Sequence, residues 1–373
     1  MKPIFLSPLV VIFLSCNTQK KEAIASYKAG FKIIHWVDSS RIYKPNTATT
    51  DYLHYRPVDL DIWYPATATA TDSVLLFRNI LGLFDERANY YTASRAGDGL
   101  SRQLAQLFCN GFRCGDTATL LNYRTGTYKN AEAINEKFPL VIYMDAYNGM
   151  SYENFALFET LSQHGFVVVS ISSIGRFPGD MTMKKEDLVE QVNDAVAAVK
   201  ILEQDPHVDG TKVGIVGYSW GGLAGAVAAG KIQQAACFVS LDGSEFHHYG
   251  EAKEEDADFE GIKNSTDFKD LQLAIPYLRL ESSPPVAANK KDSVYNFLEK
   301  ITGKKQLFTV DSAGHEDFGC MSLVVKTAGK CTGNNYFSTI SKLTLGFLET
   351  CLNRKDHFSQ AADEELNKTI RMK

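Results

Sequence analysis

Gly217-Tyr218-Ser219-Trp220-Gly221 sets a serine hydroxyl between two glycines in a Gly-x-Ser-x-Gly pattern. Such a pattern is short, so its meaning rests on its flanks. The apolar run 213–216 precedes it, and the small-residue stretch Gly222-Leu223-Ala224-Gly225-Ala226-Val227-Ala228-Ala229 follows, which reads as strand, turn and helix. A turn this tight leaves no room for side chains at 217 and 221, and it projects the serine above the sheet, over a helix N-terminus that stabilises negative charge. Ser219 is therefore the candidate nucleophile. Because a serine hydroxyl attacks poorly at neutral pH, it needs a base and an acid that orients the base, in the chain order serine, acid, histidine. Of His247, His248, His315 and His357 downstream, His315 lies in Asp311-Ser312-Ala313-Gly314-His315-Glu316-Asp317-Phe318, directly after the strand-like run 306–310. It is the candidate base. His247 and His248 read as a surface pair, and His357 as solvated. Two acids compete: Asp242 follows the run 237–241 and Glu281 follows the run 275–280. Sequence position alone does not choose between them. For the oxyanion, one donor is the backbone N–H of Trp220, and the second comes from Ala146 or Tyr147 in the loop Asp145-Ala146-Tyr147-Asn148-Gly149.

Those loops must be carried by a particular series of elements. Residues 31–43 and 58–64 read as a leading antiparallel pair, the second alternating Val58, Leu60 and Ile62 with Asp59 and Asp61. The runs 140–144, 166–171, 213–216 and 237–241 are short and almost wholly apolar, as strands covered on both faces are. Between them, 152–164 and 187–202 have helical spacing, with Leu188, Val192, Val196 and Val199 on one face. The order predicts an α/β fold with a mostly parallel central sheet flanked by helices. Residues 67–137 exceed an ordinary connection and read as an inserted helical cap. The acidic stretch 251–260 reads as a solvated surface loop.

With 373 residues, 45% hydrophobic and 22% charged, the chain can bury a sizeable core. A net charge of -5, mixed along the chain, offers no field for nucleic acid. Met1-Lys2-Pro3, a short apolar run and Ser15-Cys16 have the layout of an export signal, and the cysteine after a small residue resembles a bacterial lipoprotein signal. Residues 1–15 are then a signal peptide, Cys16 is the lipidation site, 16–30 is a tether, 31–360 is the catalytic domain and 361–373 is a C-terminal tail. The expected location is the bacterial cell envelope, anchored to the membrane by lipid. Six of the 7 cysteines remain, and Cys109 with Cys114, and Cys320 with Cys331, are close enough in sequence to pair. Cys237 and Cys351 read as buried free thiols.

Asp38-Ser39-Ser40-Arg41, Arg56-Pro57, Trp63-Tyr64-Pro65-Ala66, Phe138-Pro139-Leu140-Val141 and Gly165-Phe166-Val167-Val168 join the serine motif in a resemblance spread over residues 31–352. Together they resemble the platelet-activating-factor acetylhydrolase and dienelactone-hydrolase-like branch of the α/β-hydrolases. The resemblance implies that fold, with its inserted cap. It also favours Asp242 over Glu281, since the acid in the acetylhydrolases sits in a Leu-Asp pair after the strand that follows the nucleophile helix. It implies His315 as base, followed by Asp317-Phe318. It further implies that 75–108 lines or covers the pocket, unless that segment packs into the core. One departure stands out: the family's His-Gly in the oxyanion loop is replaced by Asp145-Ala146. A carboxylate there opposes an oxyanion unless it points away or pairs, for instance with Arg176.

The expectation is a serine esterase acting on a small-molecule or lipid-like ester, with no metal or organic cofactor. A serine peptidase of the same fold is the alternative; such peptidases usually carry a propeller domain, for which this chain has no room. A non-catalytic envelope binding protein would explain the altered oxyanion loop but not the serine, acid and histidine.

Overall fold

A run such as Val167-Val168-Val169-Ser170-Ile171 has no apolar–polar alternation, so it is stable as a strand only where both faces are covered. The computed structural model describes residues 27–69, 72–91, 99–172, 175, 180–250, 252–283, 293–353 and 356–372, and in it these runs form the middle of an 11-stranded sheet. Cys16, the signal segment 1–15 and Arg176 lie outside the described residues.

The chain opens with the expected antiparallel pair, β1 (Lys28–Ile42) and β2 (Tyr55–Ala66). An insertion follows, made of β3 (Val74–Leu76), α1 (Phe77–Tyr91), α2 (Leu100–Phe112), α3 (Thr117–Leu121) and β4 (Arg124–Lys129). Strands and helices then alternate through β5 (Phe138–Met144), α4 (Phe155–Gln163), β6 (Val167–Ile171), α5 (Lys185–Leu202), β7 (Val208–Tyr218), α6 (Trp220–Lys231) and β8 (Ala235–Leu241). The chain continues with α7 (Lys253–Lys263), α8 (Thr266–Lys269), β9 (Tyr277–Ser282) and β10 (Lys305–Val310), and closes with α9 (Met321–Gly329), α10 (Tyr336–Asn353), α11 (Phe358–Glu365) and β11 (Ile370–Met372). In space the strands run β11-β10-β9-β8-β7-β5-β6-β2-β1-β4-β3. From β6 to β10 they are all parallel, so the loops after β5, β7, β8 and β10 open on one edge of the sheet.

Each face of the sheet has its own core. Leu188, Val192, Ala195 and Val199 of α5 pack with Leu223, Ala224 and Val227 of α6 on one face. On the other, Phe155, Phe158 and Leu161 of α4 pack with Ile340, Leu343 and Phe347 of α10. Among the described residues, no helix is long and apolar enough to cross a membrane.

Three sequence expectations are corrected. The stretch 67–137 is not purely a helical cap, because β4 pairs parallel to β1 and carries β3, extending the sheet at its edge. Leu75, Phe77, Ile80 and Leu81 belong to the main core, and Phe77 of α1 lies 5.7 Å from Phe155 of α4, so burial docks this segment on the sheet instead of over the catalytic edge. The segment read as a C-terminal tail is part of the fold as far as it is described, to residue 372: Ile370 is fully buried, and β11 pairs antiparallel with β10, which would otherwise present a bare edge. The cysteines also pair differently. Cys114 is bonded to Cys331, while Cys109 and Cys320 are buried thiols. The sequence neighbours do not meet because α2 packs against α9, which brings together the two segments that follow those helices.

The Cys114–Cys331 bond closes a sequence separation of 217 and ties the insertion to the connection between α9 and α10. Cys331→Ser is expected to lower stability by about 2–5 kcal/mol, read as a lower denaturant midpoint. A reductant should reproduce the loss in the wild type and leave the variant unchanged. Equal midpoints for the two proteins would contradict the cross-link.

Candidate active site

Tyr218 ends β7 and Trp220 begins α6, so Ser219 alone makes the turn, with φ 54° and ψ −121°. That is a backbone conformation a side-chain-bearing residue adopts only when its surroundings enforce it. The surroundings here are backbone. A Cβ on Gly217 would overlap the Gly221 carbonyl, and one on Gly221 would overlap the Met144 carbonyl at the end of β5. Ser219 N–H donates to Leu241 O at 3.1 Å and Ser244 N–H donates to Ser219 O at 2.9 Å, which fixes the turn to the end of β8.

The histidine and the acid arrive from neighbouring loops. His315 follows β10 in a short helical turn, and its Nε2 lies 3.0 Å from Ser219 Oγ. Its Nδ1 lies 2.7 Å from Asp242 Oδ2. Asp242 is held in turn by the Ser282 N–H, which donates to Oδ1 at 2.9 Å. Tyr218 stacks on the imidazole at 5.1 Å between ring centroids and donates its hydroxyl to the His315 carbonyl at 3.2 Å. Sequence reasoning did not single out this second anchor, although Tyr218 sits inside the serine motif. Glu281, the competing acid, accepts from Arg279 Nε at 3.1 Å and from the Thr309 hydroxyl at 3.3 Å. The structure thus brings Ser219, His315 and Asp242 together and engages Glu281 elsewhere.

The electrostatics favour the imidazolium that forms when His315 takes a proton. Burial alone would lower the His315 pKa, but the hydrogen bond and charge of Asp242 outweigh it and raise the imidazole above its ordinary 6.5. Burial alone would raise the Asp242 pKa, but the His315 and Ser282 hydrogen bonds outweigh it and hold the carboxyl below its ordinary range.

On the oxyanion side, Trp220 N–H stands at the first turn of α6, where a helix leaves such groups without an internal acceptor. Tyr147 is anchored by its hydroxyl, which donates to Met181 O, and its ring lies 6.4 Å from that of Trp220. Ala146 is a different matter: its N–H donates to Glu153 Oε1 at 2.7 Å, so it is committed to the interior and unavailable to substrate. That leaves the Tyr147 N–H as the candidate for the second donor. Asp145 also faces inward, fully buried, with Oδ2 accepting from the Ser170 hydroxyl at 2.7 Å.

A cavity of about 120 Å³ opens beside Ser219, between Tyr147, Trp220 and Leu223 on one side and His247, Phe259 and Ile262 on the other. Two expectations change here. The acidic stretch is helix α7 from residue 253, whose Phe259 and Ile262 are buried against the cavity, which Glu255 also lines. His247 is part of that wall, stacked on Phe259 at 4.4 Å and 2.8 Å from Asp256 Oδ1, whereas His248 is exposed as expected. Among the described residues, the cavity is thus walled by α7 and by none of 75–108. His357 is also less free than its sequence position suggests, since Nδ1 lies 2.6 Å from Glu349 Oε2.

Residues 58–249, just over half of the chain, match the family model described as X-Pro dipeptidyl-peptidase (S15 family). Residues 196–313 match the model described as BAAT / Acyl-CoA thioester hydrolase C terminal. Among solved structures, the chain is similar to a ferulic acid esterase from Streptomyces cinnamoneus, with a TM-score of 0.57 and 16% identity over 88% of this chain and 91% of that chain. That likeness bears on the fold, which is mixed α/β with a mostly parallel sheet flanked by helices. No curated protein matches the chain.

The contrast between Asp242 and Glu281 is directly measurable. Asp242→Asn is expected to lower kcat by about 10³–10⁴-fold and to move the acid limb of the pH–rate profile downward, because the group that raises the His315 pKa is gone. Glu281→Gln should leave both within about twofold. A large loss in Glu281→Gln with little change in Asp242→Asn would reverse the assignment.

Proposed function

The chain belongs to the X-Pro dipeptidyl-peptidase (S15) family, and with it to the α/β-hydrolase superfamily; from that premise we propose that it is a serine hydrolase of carboxylic esters working through an acyl-enzyme. The observation that carries this reading is the unbroken hydrogen-bond chain Asp242–His315–Ser219, 2.7 Å and 3.0 Å at its two links. In it, Ser219 attacks the ester carbonyl while His315 Nε2 takes its proton and then gives it to the leaving alcohol. Asp242 holds the imidazole with Nδ1–H toward it and stabilises the imidazolium. The N–H groups of Trp220 and Tyr147 receive the oxyanion. Water repeats the sequence on the acyl-enzyme.

The cavity supports a compact ester. A cavity of roughly 150 Å³ accommodates a benzene ring, so the space of about 120 Å³ beside Ser219 fits a short acyl chain or a small ring. This agrees with the acetylhydrolase-like and dienelactone-hydrolase-like resemblance of the sequence. A serine peptidase is the second reading, favoured by the S15 family match itself. We also place the protein in the bacterial envelope, anchored by lipid on Cys16. The Cys114–Cys331 disulfide supports an oxidising compartment.

Two experiments test these readings. A fluorophosphonate probe should label the wild type and not Ser219→Ala, and nitrophenyl acetate should turn over faster than an Ala-Pro nitroanilide. Faster anilide turnover would make the protein a peptidase, and a folded wild type that takes no label would make it a binding protein. In a bacterial host, Cys16→Ala should move the protein from the membrane fraction to the soluble fraction and abolish fatty-acid labelling. Retention in the membrane fraction would refute the anchor.

A further inference from the structure

Glu153 is a buried carboxyl that the reaction scheme leaves unused. It lies in the short turn Ser151–Glu153 before α4, between the two loops that flank Ser219. Its side chain receives the Ala146 N–H of the oxyanion loop at 2.7 Å. Its backbone carbonyl receives the Cys320 N–H at 2.7 Å, just past the turn that carries His315. Gly149 closes the oxyanion loop over this carboxyl, and a Cβ there would overlap Glu153 Oε2.

The second buried acid is Asp145, next to Ala146 in the loop that Glu153 holds. Asp145 Oδ2 has the Ser170 hydroxyl, but Oδ1 is buried with no donor among the described residues. Ionising both of two neighbouring buried carboxyls is costly, and one shared proton relieves the repulsion. We propose that Glu153 is a positioning residue which, by sharing a proton with Asp145, locks the oxyanion loop so that Tyr147 N–H faces the reacting carbonyl. This rests on the serine-hydrolase reading above. It also explains how the chain accommodates an acid where the resembling family has His-Gly: the acid is turned inward and, with its partner, carries one negative charge fewer.

The groups around the pair support a held proton. Tyr143 of β5 places its hydroxyl 3.4 Å from Glu153 Oε1, Asp61 of β2 adds negative charge, and Arg87 of α1, paired with Asp61 at 2.6 Å, offsets part of it. Glu316 beside His315 adds negative charge from the opposite loop, and Tyr152 and Tyr218 are neutral neighbours whose own ionisation is pushed upward. Burial and these acids raise the pair above the ordinary carboxyl range. Stabilisation by the shared proton is present while the proton is bound and is lost as the pH rises through the raised value. The bridge then becomes two repelling anions and the loop loosens.

The test is the pH dependence of kcat and KM on nitrophenyl acetate for the wild type, Glu153→Gln, Glu153→Ala and Asp145→Asn, each normalised to fluorophosphonate-titrated sites. Glu153→Ala should lower kcat by about tenfold or more, with KM within about twofold, since a misplaced oxyanion donor acts on the transition state. Glu153→Gln can still accept from Ala146 N–H and donate to Asp145. It should stay within a few-fold of the wild type at neutral pH and lose the alkaline limb expected of the wild type, and Asp145→Asn should lose that limb as well. An alkaline limb unchanged in Glu153→Gln, or a Glu153→Ala protein that is less stable yet has full kcat per titrated site, would overturn the inference. If Glu153→Ala does not fold, the Glu153→Gln profile still decides. A folded wild type that is not labelled by the probe refutes the serine-hydrolase reading itself, whereas labelling with a flat response to these variants refutes only the role of Glu153.

Discussion

Backbone meets backbone where Gly221 lies against the Met144 carbonyl, with no space for a single extra carbon. This contact fixes the start of α6 to the end of β5, and so sets Trp220 N–H and Tyr147 N–H in a common frame. A comparable approach, Gly222 against Gly243, joins the same helix to the loop carrying Asp242. Side chains adjust by rotating, but main-chain contacts of this kind do not, which is how loops with a half-exposed histidine, 44% by side chain, keep a defined geometry.

Buried charge does related work farther from the surface. Arg279 of β9 donates to Ser240 Oγ, Gly243 O and Glu245 Oε1, at 3.2, 3.0 and 2.8 Å, and so braces the loop that follows Asp242. Tyr277 donates to the same Glu245 oxygen at 2.8 Å. Buried pairs of this kind add little net stability once desolvation is subtracted; their effect is to restrict geometry, because breaking one leaves an uncompensated charge. Arg279 also occupies Glu281. The competing acid is thereby drawn into structural duty, leaving Asp242 to face the imidazole.

The catalytic-edge elements were legible because their signals are local. The unalternated runs of β5 to β8 announce strands covered on both faces, and the glycines around Ser219 announce a turn with no room for side chains. The choice between Asp242 and Glu281 was not legible from position, since both follow parallel strands; only the spatial course of each loop separates them. β4 escaped notice because Arg124-Thr125-Gly126-Thr127-Tyr128-Lys129 is largely polar and becomes a strand through its pairing with β1 and β3. Helix α7 was hidden for a similar reason: among its acids only Phe259 and Ile262 are buried, a pair three residues apart that gives a weak period. The inward turn of Ala146 N–H was invisible too, because its acceptor is set by tertiary packing.

The acidic oxyanion loop therefore does not argue against catalysis. In the transition state the imidazole becomes positive and the substrate oxygen negative, so the surroundings must favour both signs within a few ångströms. Asp242, with Glu316 and Glu153 farther off, favours the imidazolium. The N-terminal end of α6 and the backbone N–H groups favour the oxyanion without bringing a mobile counter-ion. A fully ionised Asp145–Glu153 pair would oppose the second of these, whereas a pair that holds a proton and spends its remaining acceptor on Ala146 N–H opposes it far less. A replacement that reads in the sequence as damage to the site is, in the folded chain, a carboxyl directed away from substrate into the support of the loop that binds it.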